Sequence, residues 1–155
     1  MRKILFIIIG VLLLCNVAFA ELDWYSKIQY DMYKDKPVLM AGEKDGVRAK
    51  LISGIGEVIF IENAGNFPIR FNYATDEYYY ISKDGKYYLV SATAGNPPYC
   101  SGGRLVMNPD DMTIVTIGKE NPVIQPKVIS GEITKFLIII NGGKTKIELH
   151  PIIKK

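Results

Sequence analysis

Cysteine, histidine and tryptophan are nearly missing from this 155-residue chain, which carries 2, 1 and 1 of them. Zinc and iron–sulfur centres draw three or four ligands mostly from Cys and His, so no such centre is expected, and no cofactor is. An excess of one charge is missing as well. With Arg2 and Lys3 set aside, the 19 basic residues fall to seventeen against 16 acids, a net charge of about +1. A nucleic-acid binder would show a basic face, so nucleic acid is not an expected partner. Internal repeats, heptads and low-complexity tracts do not occur either. What remains is a composition 48% apolar and 23% charged, enough for one globular domain with its own core.

The N-terminus fixes the expected compartment. Arg2 and Lys3 precede an apolar run from Ile4 to Leu14, broken only by Gly10, and Ala18-Phe19-Ala20 supplies small residues around a cleavage point. That order is the secretory pattern, so residues 1–20 are expected to be a signal peptide removed after Ala20. An uncleaved anchor is the alternative, and only then is the membrane a partner; the span of roughly seventeen residues is short for it, and Asn16 interrupts it. Lipidation of Cys15 is disfavoured by Leu14, where a small residue is wanted. Export leaves Cys100 as the only thiol. No intramolecular disulfide can form, and Cys100 is a candidate for an intermolecular one.

Residues 21–46 read as an N-terminal segment. Trp24, Ser26, Ile28, Tyr30 and Met32 fit a strand, while Leu22, Tyr25, Ile28 and Met32 fit a helical stripe, and a short helix is expected. Gly42 to Gly46 reads as a polar turn. From Val47 to the end the period is two. Val47, Ala49 and Leu51 alternate with Arg48 and Lys50; Glu57–Glu62, Ile69–Tyr73, Arg104–Met107 and Met112–Ile117 are further strands. Phe136, Ile138 and Ile140 share a face with Thr145, Ile147 and Leu149, and Lys135, Lys144, Lys146 and Glu148 lie opposite with Leu137 and Ile139. Thr93–Gly103 is expected as a loop, and the stretch with Pro122 and Pro126 as a connector without helix.

The plainest local signal is Tyr78-Tyr79-Tyr80-Ile81-Ser82-Lys83, Asp84-Gly85, Lys86-Tyr87-Tyr88-Leu89-Val90. A two-residue Asp-Gly loop predicts a type I′ hairpin with Tyr80 opposite Leu89 and Ile81 opposite Tyr88. Tyr79, Ile81, Tyr88 and Val90 then face inward. Tyr78, Tyr80, Tyr87 and Leu89 share the other face, where Tyr78, Tyr80 and Tyr87 become an amphipathic outer patch suited to a protein or glycan partner. Alternatively Trp24, Tyr25 and Tyr30 cover that patch as a lid.

Short strands with turns about every ten residues suggest an antiparallel sandwich or barrel, and the expected fold is an all-β antiparallel sandwich of 7–9 strands in residues 47–155. The run Glu62-Asn63-Ala64-Gly65-Asn66-Phe67-Pro68-Ile69, the Tyr-rich Asp-Gly hairpin, Asn108-Pro109 before another strand and a terminal hairpin together resemble the immunoglobulin-like β-sandwich domains of exported bacterial proteins. The resemblance implies an interaction or assembly module and carries no site residues with it.

Catalytic constellations are sparse. Cys100 and His150 are the only thiol–imidazole pair, but Cys100 sits in a Gly-rich loop without the His-Gly-Cys signature of exported transpeptidases. Ile52-Ser53-Gly54-Ile55-Gly56 lacks the first Gly of a nucleophile elbow and the third of a phosphate loop. Asp76-Glu77 and Asp110-Asp111 are expected to make turns rather than to bind calcium or cleave glycosides. The expected function is therefore a non-catalytic binding module of the bacterial cell envelope, periplasmic or extracellular. A structural subunit using Leu137 and Ile139 at an interface, and a small hydrolase using His150, are the alternatives.

Overall fold

The structure is a computed structural model that describes residues 28, 30–53, 56–72, 75–95, 104–118 and 124–152. The signal segment, Trp24, Tyr25, Tyr73 and Cys100 lie outside the described residues, so the cleavage after Ala20 and the Cys100 disulfide are not addressed by it.

Strand β1 (Val38–Lys44) turns through Asp45-Gly46 into β2 (Val47–Ser53). Both turn residues have positive φ, 52° and 78°, the requirement of a type I′ loop. Thus the strands begin at Val38, not Val47, and the polar turn shrinks to its last two residues. β3 (Glu57–Asn63) pairs with β2, β4 (Ile69–Asn72) follows, then the hairpin of β5 (Glu77–Ser82) and β6 (Tyr87–Leu89). β7 (Ala92–Gly95), β8 (Arg104–Met107) and β9 (Met112–Ile117) lead to a helix, α1 (Ile124–Ile129), and to the closing hairpin β10 (Ile133–Ile140) and β11 (Thr145–Pro151).

The helix α1 corrects the expected helix-free connector, and β7 takes the start of the expected loop. Pro126 is no obstacle, because the N–H it lacks falls in the first turn, where no carbonyl waits for it. Glu57 instead caps that turn: its Oε1 accepts from Ile124 N (2.8 Å) and Gln125 N (2.7 Å). Ser53 Oγ donates to Gln125 Oε1 at 2.7 Å. A cap supplied from another strand leaves no trace in the helix's own sequence.

Nine strands form one antiparallel sheet in the order β6-β5-β10-β11-β1-β2-β3-β9-β7, and β4 pairs with β8 outside it. Laid flat, the sheet would hold its edges roughly 38 Å apart at a strand spacing of about 4.8 Å. Yet those edges, β6 and β7, are joined by Val90 and Ser91 alone, a reach of at most about 11 Å. The sheet must therefore curl until its edges meet. Hydrogen bonds at the joint agree: Val90 N donates to Tyr78 O of β5, and Gly118 N, just past β9, donates to Ser91 O, both at 2.8 Å. β6 and β7 are in effect two halves of one bent strand closing a barrel-like curl. The antiparallel β class is as expected. One curled sheet with a small second ladder takes the place of two comparable facing sheets.

The interior of the curl is the main core. Phe136, Ile138 and Ile140 of β10 and Ile147 and Leu149 of β11 are fully buried, as their alternation predicts. Met40, Leu51, Ile59 and Val115 complete the ring from β1, β2, β3 and β9. Ile69 and Phe71 of β4 with Met107 of β8 close one end, and Ile124 and Val128 of α1 belong to the same core. Asn63, buried at the end of β3, binds the first closure: its Nδ2 donates to Phe67 O at 2.7 Å and Met107 O at 3.1 Å. Each buried apolar side chain contributes about 1.5–3 kcal/mol.

A second, smaller cluster lies on the outside of β2, β3 and β9. Ile52, Val58, Phe60 and Ile114 form it, and the helical residues Tyr30 and Tyr33 roof it. Tyr30 stacks on Phe60 at 5.7 Å and Tyr33 meets it edge-on at 6.3 Å. The short N-terminal helix is thus present at Tyr30–Tyr33, but Tyr30 covers β3 rather than the tyrosine hairpin.

Candidate functional site

The tyrosine hairpin owes its geometry to one residue of loop length. Ser82 N donates to Lys86 O at 3.0 Å, so the loop is Lys83-Asp84-Gly85, three residues ending on a glycine at φ 81°. Tyr79 therefore pairs with Leu89, Tyr80 with Tyr88 and Ile81 with Tyr87. Against the predicted two-residue loop this is a slip of one position, and a slip of one exchanges the faces of the returning strand.

β10 sets β5 and turns its tyrosines the other way from the prediction, although Ile81 and Val90 are buried as predicted. Tyr80 pairs with Phe136 and Tyr78 with Ile138, both inward residues of β10, while Tyr79 pairs with the outward Leu137. Tyr78 is only 5% exposed and sits in the main core, with Tyr80 packed against it. The expected patch of Tyr78, Tyr80 and Tyr87 does not exist: the first two turn inward, and Tyr87 alone lies outside. Tyr80 stacks with Tyr88 at 4.8 Å, and Lys127 Nζ of α1 stands 6.0 Å from the Tyr80 ring. Those contacts make Tyr80 a bridge between barrel and helix rather than a surface for ligands.

The outer face holds a different patch. Tyr87 is 62% and Leu89 68% exposed, and both share the outside with Tyr79, Leu137 and Ile139. Tyr87 meets Tyr79 edge-on at 6.2 Å. Strands β6, β5 and β10 thus present a continuous apolar and aromatic surface. Tyr79 Oη donates to Glu77 Oε2 at 3.0 Å, and that acceptor pushes the Tyr79 phenol above its ordinary pKa. Charge borders the patch. Glu148 meets Lys135 Nζ at 3.4 Å and His150 Nε2 at 3.6 Å on the β11 side, and Asp84 meets Lys86 at 3.2 Å by the loop. Hydrogen bonds from Ser82 and Lys86 hold the Asp84 carboxyl below its usual range.

Sequence reasoning placed Leu89, Leu137 and Ile139 outward, as found, but exchanged Tyr79 with Tyr78 and Tyr80. The signal for the tyrosines was available only through β10: once β5 pairs with it, the alternation of β10 dictates which tyrosines face out.

The remaining candidates do structural work. His150 is exposed on β11 with Glu148 as its neighbour, and among the described residues no serine or cysteine hydrogen-bonds to it. Ser53 is buried and engaged with Gln125. Asp111 Oδ2 accepts from Asn108 N at 2.9 Å, and Asp110 occupies a left-handed turn position at φ 68°. Asp76 Oδ2 accepts from Asn72 N at 2.7 Å, while its Oδ1 is buried without a partner. Burial pushes the Asp76 carboxyl up to about 6 against the lowering effect of that hydrogen bond. Among the described residues, no three acidic, histidine or cysteine side chains are grouped to hold a metal ion. No helix of the described residues is long and apolar enough to cross a membrane. Comparison with protein families, curated proteins and solved structures finds no match to this chain.

Proposed function

We propose that the protein is an exported, non-catalytic binding module that engages a protein partner through the outer face of β6, β5 and β10. One observation carries the proposal: Tyr87 and Leu89 stand 62% and 68% exposed on the same face as Tyr79, Leu137 and Ile139. Monomers rarely leave apolar patches of this continuity uncovered. Tyrosine supplies wide contact area at low entropic cost, and the charges around it resemble the polar rim of an interface. Leu89, Leu137 and Ile139 favour a protein over a sugar, because aliphatic side chains offer no flat ring for stacking. Export follows from Arg2, Lys3, the run to Leu14 and Ala18-Phe19-Ala20. An immunoglobulin-like strand order would add only the general expectation of an interaction module, and the binding face does not depend on it.

A photocrosslinking residue placed at position 87 in cells expressing the full chain tests this. A protein adduct from position 87, and none from the exposed Lys50 on β2, is the expected result. Absence of any protein adduct, or retention on immobilised glycans that Tyr87→Ser abolishes, overturns protein binding as the role of this face.

A further inference from the structure

Resting on the binding face just proposed, we infer that its partner is a second copy of this chain, laid face to face with its strands running the opposite way. The edges of the main sheet offer little to a second copy: β6 and β7 are three and four residues long and are tied together through Val90 and Ser91, whereas the outer face of β6, β5 and β10 is broad and apolar. That face is self-complementary in charge. β5 carries Glu77 at its start and the exposed Lys83 directly after its end, about 20 Å apart, with Tyr79 between them. Among the described residues neither charge is in an ion pair. Glu77 accepts only the Tyr79 hydroxyl, while Lys135, Lys86 and Asp84 are already matched within the chain.

A two-fold axis lying in the contact plane and crossing the strands near the middle of β5 reverses one copy relative to the other. Glu77 then approaches the partner's Lys83, and Lys83 approaches the partner's Glu77. One self-complementary patch thus generates two equivalent ion pairs, the property of an isologous dimer contact. Between them Tyr79, Tyr87, Leu89 and Leu137 lose their water against the same apolar surface of the other copy. The hydrophobic centre supplies affinity and the two rim pairs fix the antiparallel orientation. Parallel placement would set Glu77 against the partner's Glu77 and Lys83 against the partner's Lys83.

Sedimentation of the purified full chain across a concentration series tests this. A reversible monomer–dimer equilibrium is expected below about 100 μM. Leu89→Glu combined with Leu137→Glu abolishes the dimer, with melting temperature as the control for folding. Glu77→Lys and Lys83→Glu each weaken it about tenfold by turning both rim pairs repulsive. Mixing those two single variants restores it, because in the mixed dimer both rim contacts are again opposite in sign. A chain that stays monomeric at about 100 μM overturns the inference, as does a mixture no tighter than its components. Position-87 crosslinking separates the two failures. An adduct to a different protein from a monomeric chain leaves the binding face standing and removes the second copy; no protein adduct removes both.

Discussion

The hairpins β5–β6 and β10–β11 lie side by side in one sheet, yet their sequences constrain them very differently. In β10–β11 the inward set is purely apolar apart from Thr145, while Lys135, Lys146, Glu148 and His150 mark the outside. Only one orientation buries the first set without burying charge. In β5–β6 aromatic or aliphatic residues occupy both faces, so burial alone scarcely distinguishes them. Where patterning is degenerate, register passes to the turn and to the neighbouring strand. The three-residue loop ending on Gly85 shifts β6 by one, and β10 decides which face of β5 is inside. The same ambiguity that hid the orientation is what leaves apolar groups outside for a partner.

The largest expected effects are on the shared inner face. Phe136→Ala in β10 and Tyr78→Ser in β5 should each cost about 3–5 kcal/mol, a large part of the 5–15 kcal/mol available to a domain. Urea midpoints with unchanged slope would show it. A Tyr78→Ser variant within 0.5 kcal/mol of wild type, in rough terms no effect, would return Tyr78 to the surface.

Gly42→Ala should follow at about 2–4 kcal/mol, because a Cβ there falls on the backbone oxygen of Glu148 and forces β1 away from β11. The expected companion is loss of amide-exchange protection at Ala41, whose register partner is His150.

The two Asp-Gly turns come next. Gly46→Ala must adopt φ near 78° and also meets Gly65 Cα at 2.8 Å, whereas Gly85→Ala at φ 81° meets nothing. Gly85→Ala should therefore cost about 1 kcal/mol and Gly46→Ala clearly more, read as melting temperatures on the same buffer.

Asp76, directly before β5, gives a smaller effect of opposite sign. Its folded pKa of about 6 lies above the ordinary 3.8, so the folded state holds the proton more tightly than the unfolded state does. Stability from this group is complete below about pH 4 and is lost as pH rises through about 6. Asp76→Asn should remove that loss and stabilise the protein at pH 7 by about 1 kcal/mol, screening in this half-buried site having reduced the full value. A stability profile between pH 4 and 7 unchanged by Asp76→Asn would dismiss the effect.

Smallest of all, Tyr87→Ser with Leu89→Ser should leave stability within about 0.5 kcal/mol while removing the adhesive surface. A large drop in melting temperature would mean that these side chains are structural, and the contrast between the inner and outer tyrosines would fail.

By itself the sequence determined the antiparallel β class, most of the strands, and both faces of β2 and β10–β11. In β2 and β11 alternation with charge at every second position leaves only one way to bury the apolar side, and the hairpin pairing carries that choice from β11 to β10. It also marked Asp-Gly and Asn-Gly-Gly as turns, because few residues other than glycine accept positive φ. Tertiary structure decided the rest. The end of β1 from Gly42 onward reads as a turn because Gly42 serves a close approach to β11 that no local pattern records. α1 was invisible because its cap, Glu57, comes from β3. The curl arose from the short link between β6 and β7 acting on pairings made elsewhere, and the outward tyrosines were chosen by β10. Each of these depends on which strand becomes a neighbour, and neighbours distant in the chain are selected by the burial of the whole core rather than by any segment's own period.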